Sequence, residues 1–186
     1  MLYSKNIIRL VAGILDEYSS IPVVVDPVMV TSSGDKLLEE DAVQAYKDYL
    51  FPRASILTPN KKEAEWLCGK ELNEGNIEEC LKDLSRWGNS VVIKSVENRD
   101  FFIHYDYNSV EKVMKVYKKE GTRPRNVNGT GDSFASAIAT FLSKGYGIEF
   151  AVAEAERFIQ QSIELGARFK FGRGFGPVYP YYEVQE

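Results

Sequence analysis

Three short runs of β-branched and apolar residues constrain this chain more than anything else in it. They are residues 22–25 (PVVV), closed by Asp26-Pro27, residues 55–58 (SILT), closed by Pro59-Asn60, and residues 90–94 (SVVIK). A strand without a polar face needs cover on both sides, which is the condition of a parallel sheet. Helical patterns separate the runs at about 39–50, 61–68 and 77–87, with Gly69 and Gly88 following the last two as left-handed stops. Strand and helix alternating in this way predict an α/β fold with right-handed crossovers.

The flanking segments extend this pattern. Ser4 is placed to cap a helix whose apolar positions Ile7, Ile8, Val11, Ile14, Leu15 and Tyr18 recur at helical spacing. Residues 101–107 and 110–118 alternate around Asn108-Ser109, which predicts an antiparallel hairpin at the sheet edge. The loop EGTRPRNVN leads into NVNGTGDSFASAIA (126–139). A helix over 131–143 would turn Phe134, Ala137, Ile138, Phe141 and Leu142 to the core and leave Gly129-Thr130-Gly131 as a bare turn along its axis. A second long helix is expected from about 149 to 165, and the glycine-rich tail FKFGRGFGPVYP reads as irregular.

Composition narrows the function class. With 186 residues and 44% hydrophobic content, the chain can bury one core, and a single domain is expected. Its net charge of -4 gives no electrostatic reason to expect nucleic acid or an acidic membrane as partner, so small molecules are the expected ligands. Cys68 and Cys80 lack metal-ligand or CxxC spacing and read as buried thiols of a reducing compartment. Lys5, Arg9 and Asp16 interrupt the first apolar stretch, and no run approaches the roughly 20 apolar residues of a spanning helix, so the expected location is cytoplasmic. His104 is the one histidine and reads as a strand residue, which leaves little room for histidine-based catalysis.

In open parallel sheets ligands bind beyond the carboxyl ends of the strands, where Asp26, Thr58, Asn60 and Lys94 fall. Singly, these residues are turn chemistry and a solvated strand end. Their joint placement, with a helix start whose free N–H groups attract anions, points to a phosphate site. Asp132, one residue inside that helix, has two readings: a first-turn acid that complements the helix dipole, or a base held ionised beside the anion.

The segments VVVDPVMVTSSGDKLL, ILTPNKKEAEWLCG, VVIKS and NGTGDSFASAIATFLSKG, in this order, resemble the hydroxymethylpyrimidine and phosphomethylpyrimidine kinases of thiamine biosynthesis, within the ribokinase-like superfamily. The resemblance implies a three-layer αβα fold, mainly parallel with an antiparallel hairpin at one edge, and one ribokinase-like domain over 1–186. It implies ATP and Mg2+ as cofactors and phosphorylation of a hydroxymethyl group or of the phosphomethyl product. By the same resemblance Gly129, Thr130 and Gly131 form the anion hole, and Asp132 stands at the position of the catalytic base. Asp26, Asn60 and Glu63 order magnesium and the triphosphate, Lys94 and Thr58 contact phosphate, and Met1 and Val28 remain as substrate contacts.

Three departures from the pattern shape the expectation. The thiamine kinases usually read G-T-G-C where this chain has Gly129-Thr130-Gly131-Asp132, and pyridoxal kinases of the superfamily carry Asp there, so a pyridoxal or pyridoxine kinase is the alternative. After Lys94 stand Ser95-Val96 in place of two glycines. The family's N-terminal third, with its first strands and substrate loop, has no counterpart, which leaves PVVV at or near a sheet edge. An exposed apolar edge recruits another chain, so self-association or a completing partner is expected. A non-catalytic nucleotide-binding module or subunit is the reading from another class.

Overall fold

The computed structural model describes all residues except 1, 30–36, 99–100, 109–111, 121–124, 171 and 182–186, and gives only the backbone of 40, 95–98, 101–106 and 117–120. The chain divides into two compact units, Met1–Glu120 and Gly121–Glu186.

The first unit opens with α1 (Lys5–Glu17), whose N-cap is Ser4, although the serine side chain makes no capping bond. Then come β1 (Val24–Val25), α2 (Glu40–Ala45), β2 (Ile56–Leu57), α3 (Lys61–Cys68), α4 (Ile77–Leu84), β3 (Ser90–Asn98), β4 (Phe101–Asn108) and β5 (Val113–Glu120). One sheet holds the strands in the order β1-β2-β3-β4-β5. The first three run parallel, with Val24 opposite Ile56 and Ile56 opposite Ser90. The expected hairpin is present: β4 and β5 pair antiparallel from Phe101 opposite Glu120 to Asn108 opposite Val113, and β4 pairs antiparallel with β3.

The core of this unit shows why the apolar runs carry no polar face. Val25, Ile56, Leu57, Val91, Val92 and Ile93 are buried. Most of them join one cluster with Ile8 and Ala12 of α1, Tyr46, Leu50 and Phe51, Leu67 of α3, and Cys80, Leu81 and Leu84 of α4. The helix expected over 39–50 is not uniform: α2 gives way to a π-helical stretch (Tyr46–Leu50) and a 3-10 turn (Phe51–Arg53) that carries Pro52. This wide-then-tight winding buries both Tyr46 and Phe51. Gly69 closes α3 in the left-handed region as expected, with φ 68°. Gly88, also left-handed at φ 88°, is no helix stop, because α4 ends at Leu84; its N–H closes a turn on the Ser85 carbonyl.

The cysteine expectation is corrected. Cys68 and Cys80 form a disulfide with Cα atoms 5.9 Å apart. The Gly69 turn folds α4 back beside α3, which brings the last residue of one helix against the first turns of the other. Their separation of 12 residues in sequence resembles no redox or metal motif and gave no sign of the pairing.

The second unit contains β6 (Asn126–Asn128), α5 (Thr130–Ser143), α6 (Ile148–Gly166) and β7 (Gly176–Pro177). Both long helices fall where the apolar spacing placed them. Phe134, Ala137, Ile138 and Leu142 are buried, while Phe141 is only half-buried and stacks edge-on against Tyr146 and Phe150. The tail is less irregular than expected, since β7 pairs parallel with β6. Buried Asn126 explains the pairing: its amide donates to the Gly166 and Phe169 carbonyls at the end of α6, and its Oδ1 accepts from Gly176 N–H at 3.1 Å. Gly166 admits the tail because a Cβ there would lie 3.2 to 3.3 Å from the backbone of 177–179.

Candidate functional site

Three parallel strands of the first unit bring four expected site residues together, although Lys94 does not end its strand as the apolar run suggested, because β3 continues through pairing with β4 to Asn98. Asp26 follows β1, and Lys94 lies within β3, bridged to Asn60, the residue that opens α3 after β2. The alignment rests on backbone bonds, from Thr58 N–H to the Val25 carbonyl and from Lys94 N–H to the Pro59 carbonyl. It places the Lys94 ammonium 2.8 Å from Asp26 Oδ1, with the two side chains only 9% and 15% exposed. An ion pair so little solvated is held only where both charges have a use or a partner.

Asn60 and Glu63 form a reciprocal capping box. Asn60 Oδ1 accepts from Glu63 N–H at 3.0 Å, and Glu63 Oε2 accepts from Asn60 N–H at 2.8 Å. The T-P-N-x-x-E segment therefore does local work as a helix start. Glu63 is buried, and its other oxygen, Oε1, faces the Met29 N–H at 3.4 Å. Burial lifts its pKa to about 7; the Asn60 N–H and the Lys94 charge oppose that rise, and the Asp26 charge adds to it. Glu63 is thus a carboxyl poised between its two forms near neutrality, and a cation arriving beside it would favour the ionised one.

Thr58 shows no exposed surface, and its hydroxyl finds no hydrogen-bond partner among the described residues. A ligand reaches it only if the strand end opens. Val28 is half-buried in the segment after β1, and Met1 lies outside the described residues. Two contributors escaped the sequence reading. The Met29 backbone meets Glu63, and Tyr46 is buried within the field of both acids, its phenol pKa raised first by burial and further by Asp26 and Glu63. Nothing in a helical apolar position such as Tyr46 announces that role.

In the second unit Gly129 is the N-cap of α5 in the left-handed region, φ 85°, and offers no side chain to the helix end. The Thr130 hydroxyl turns back onto the Val127 carbonyl, leaving the first-turn N–H groups without a side-chain cap. Asp132 is exposed in that first turn. The geometry fits both its readings, because a carboxylate here complements the dipole and remains accessible to a proton donor.

Among the described residues no three of His, Cys, Asp and Glu cluster as metal ligands. The pair Asp26 and Glu63 nevertheless suits Mg2+, which takes one or two carboxylates and keeps water or phosphate at its other positions.

The phosphomethylpyrimidine kinase family matches residues 1–179. The chain belongs to this family. Over 183 residues it is 37% identical to the thiamine biosynthesis bifunctional protein ThiED of Geobacter sulfurreducens, covering 96% of this chain and 36% of that protein. It is 32% identical over 185 residues to the hydroxymethylpyrimidine/phosphomethylpyrimidine kinase of Staphylococcus aureus, covering 96% of this chain and 65% of that one. The chain thus spans less than two thirds of the curated relatives it matches. Among solved structures, the ADP complex of Bacillus subtilis pyridoxal kinase superposes with a TM-score of 0.85 at 29% identity, over 97% of this chain and 68% of the other. The α/β fold is accordingly that of the ribokinase-like kinases. No helix among the described residues is long and apolar enough to cross a membrane.

Proposed function

We propose that this member of the phosphomethylpyrimidine kinase family transfers a phosphoryl group from MgATP to hydroxymethylpyrimidine or its phosphate in thiamine biosynthesis. The observation that carries the reading is the cluster of Lys94, Asp26, Glu63 and Asn60 that three parallel strands bring together, with Lys94 and Glu63 buried. Phosphoryl transfer needs positioning and charge stabilisation more than covalent chemistry, and this is what such a cluster supplies.

In this reading Asp26 and Glu63 hold Mg2+, which when bound would neutralise polyphosphate charge. Lys94 is oriented by Asp26 and contacts phosphate. Asn60 fixes the Glu63 carboxyl and the start of α3, while Thr58 and Val28 shape the strand ends. The α5 N-terminus, through the backbone of Gly129, Thr130 and Gly131, receives the phosphoryl group as it gathers negative charge, helped by roughly half a positive charge from the helix dipole. Asp132 accepts the proton of the substrate hydroxyl. A cytoplasmic location goes with this reading. Disulfides are rare in that compartment, so Cys68 and Cys80 would be exposed there to reducing thiols.

A second reading, phosphorylation of pyridoxal or pyridoxine, is favoured by Asp132 at the fourth position of the motif and by the likeness to pyridoxal kinase. Calorimetry with MgATP followed by turnover on hydroxymethylpyrimidine, its phosphate and pyridoxal separates the two. The first reading expects turnover on a pyrimidine, lost in Asp132→Ala. Turnover on pyridoxal alone establishes the second. Nucleotide binding with no turnover on any of the three points to a non-catalytic module or an incomplete subunit, and failure to bind MgATP overturns both readings.

A further inference from the structure

Helix α3 carries two site residues at one end and a disulfide at the other. Asn60 and Glu63 build its start, and Cys68, its last residue, is bonded to Cys80 of α4. With eight residues the helix has about two turns, too few to be stable alone, so its order depends on what holds it. Ala64 and Leu67 are buried against the core. Near its far end the Lys47 ammonium donates to the Leu67 carbonyl at 2.8 Å, and Lys70 pairs with Glu79 of α4 at 2.7 Å. These ties do not involve sulfur. Opening the disulfide would therefore loosen α3 without detaching it from α4.

The two sulfurs differ in access: Cys80 has no exposed surface, whereas Cys68 is only partly buried. Each also has a carbonyl 3.8 Å away, Cys68 Sγ that of Cys80 and Cys80 Sγ that of Ala64. A disulfide sulfur has no proton to donate, but a thiol has one. The Ala64 carbonyl is the acceptor that the helical ladder assigns to the Cys68 N–H, and Ala64 directly follows Glu63. The dithiol form thus has bonds of its own, and one of them falls on the backbone next to Glu63.

We infer that Cys68 is a thiol-exchange site and that the Cys68–Cys80 pair is a redox switch on α3, whose disulfide keeps Asn60 and Glu63 ordered and whose dithiol form loosens them. The reductant is a dithiol, and a small-molecule disulfide drives the reverse exchange. A thiolate of the dithiol attacks Cys68 Sγ, the accessible sulfur, and forms a new S–S bond there, while the Cys68–Cys80 bond breaks and Cys80 leaves as thiolate. The second thiolate of the reductant then displaces Cys68. Two electrons pass to the cysteine pair, the reductant ends as its own disulfide, and its two protons end on Cys68 and Cys80. The Lys47 ammonium, at the carbonyl one residue before Cys68, favours an incoming thiolate. The consequence for MgATP rests on the phosphotransferase reading; the change in α3 does not.

Amide hydrogen exchange on the full chain, before and after incubation with dithiothreitol, should show residues 60–64 exchanging about tenfold faster once reduced, with peptides of β2 and β3 unchanged. The double variant Cys68→Ser, Cys80→Ser should exchange like the reduced chain and ignore the dithiol. Brief exposure to glutathione should place the mixed disulfide on Cys68. Calorimetry should find MgATP bound about fivefold more weakly after reduction, as when the ordered helix start is populated about one-fifth of the time. Unchanged exchange at 60–64, an adduct on Cys80, or a bridge that oxidised glutathione cannot re-form each overturns the inference. Faster exchange throughout the unit overturns it too, because the bridge would then staple the whole unit. Faster exchange at 60–64 with MgATP bound equally well in both states overturns the switch and leaves the phosphotransferase reading intact. No MgATP binding in either state sinks that reading alone, and the exchange at 60–64 still decides the effect on α3.

Discussion

Replacing Lys94 by methionine keeps the apolar stem of the side chain and deletes its charge. In the native chain the ammonium lies 2.8 Å from Asp26 Oδ1, with neither side chain more than 15% exposed. At that distance, and an effective dielectric constant of about 20, the gross attraction is about 6 kcal/mol. Most of it is offset by the cost of removing both ions from water, so the pair contributes little net while a stranded partner is costly. Lys94→Met should therefore destabilise the chain by about 3–5 kcal/mol. That is a large part of a total that lies between roughly 5 and 15 kcal/mol for a domain of ordinary stability. Asp26→Asn combined with Lys94→Met removes both charges and should regain most of the loss. Urea denaturation of the parent, the two single variants and the double variant in metal-free buffer at pH 7 measures the cycle, and a coupling of about 2 kcal/mol or more is expected. A Lys94→Met cost below about 1 kcal/mol, or losses that simply add in the double variant, would refute a buried, mutually dependent pair.

Further outcomes follow from single features of the site and its supports. Glu63 titrates at about 7 in the fold against an ordinary 4.5, so the stability it confers is complete below pH 4.5 and lost as pH rises through 7. The loss is about 3 kcal/mol at most, and Glu63→Gln, which stays neutral, should flatten the fall in melting temperature between pH 5 and 8 in metal-free buffer. Gly129→Ala meets no steric obstacle, since the nearest atom to its Cβ is Val178 Cγ2 at 4.0 Å. Its cost of about 1–2 kcal/mol would come from left-handed backbone alone, and calorimetric unfolding should show it. Opening the Cys68–Cys80 bond with a dithiol, or replacing both residues with serine, should lower stability by about 3 kcal/mol in denaturant melts, the value for a loop of this size; an unchanged midpoint would show that the bridge adds nothing.

The parallel part of the sheet was legible because its strands are buried on both faces and so carry unbroken apolar runs, as Leu57 and Val91 show. The helix starts were legible where a cap is built from side chains, as at Asn60 and Glu63, whose spacing is itself the mechanism. The candidate site was readable as far as its ingredients: the apolar runs placed Asp26 and Asn60 just beyond strands and Lys94 at the end of one, although β3 continues to Asn98, while Glu63 came from the family resemblance. Their interaction could not. The Lys94–Asp26 pair joins residues 68 apart, and only the register of β1, β2 and β3 sets its distance. Glu63 reads in sequence as an ordinary helix-start acid, and its raised pKa is a consequence of burial. The winding change at Tyr46, the pairing of β6 with β7 through Asn126 and the disulfide were missed for a related reason. Each depends on what a distant segment presses against it.

What the amino-acid order determined by itself was whatever depends on short range: element type from apolar period, turns from proline and glycine, and the Gly129-Thr130-Gly131 turn ahead of α5. These follow from backbone sterics and local hydrogen bonding, which act over a few residues. The tertiary structure alone decided how charges are desolvated and paired. Whether Lys94 is a solvated strand end or one half of a buried pair, and whether Glu63 is ionised at neutral pH, depends on the low dielectric made by neighbours far away in the chain.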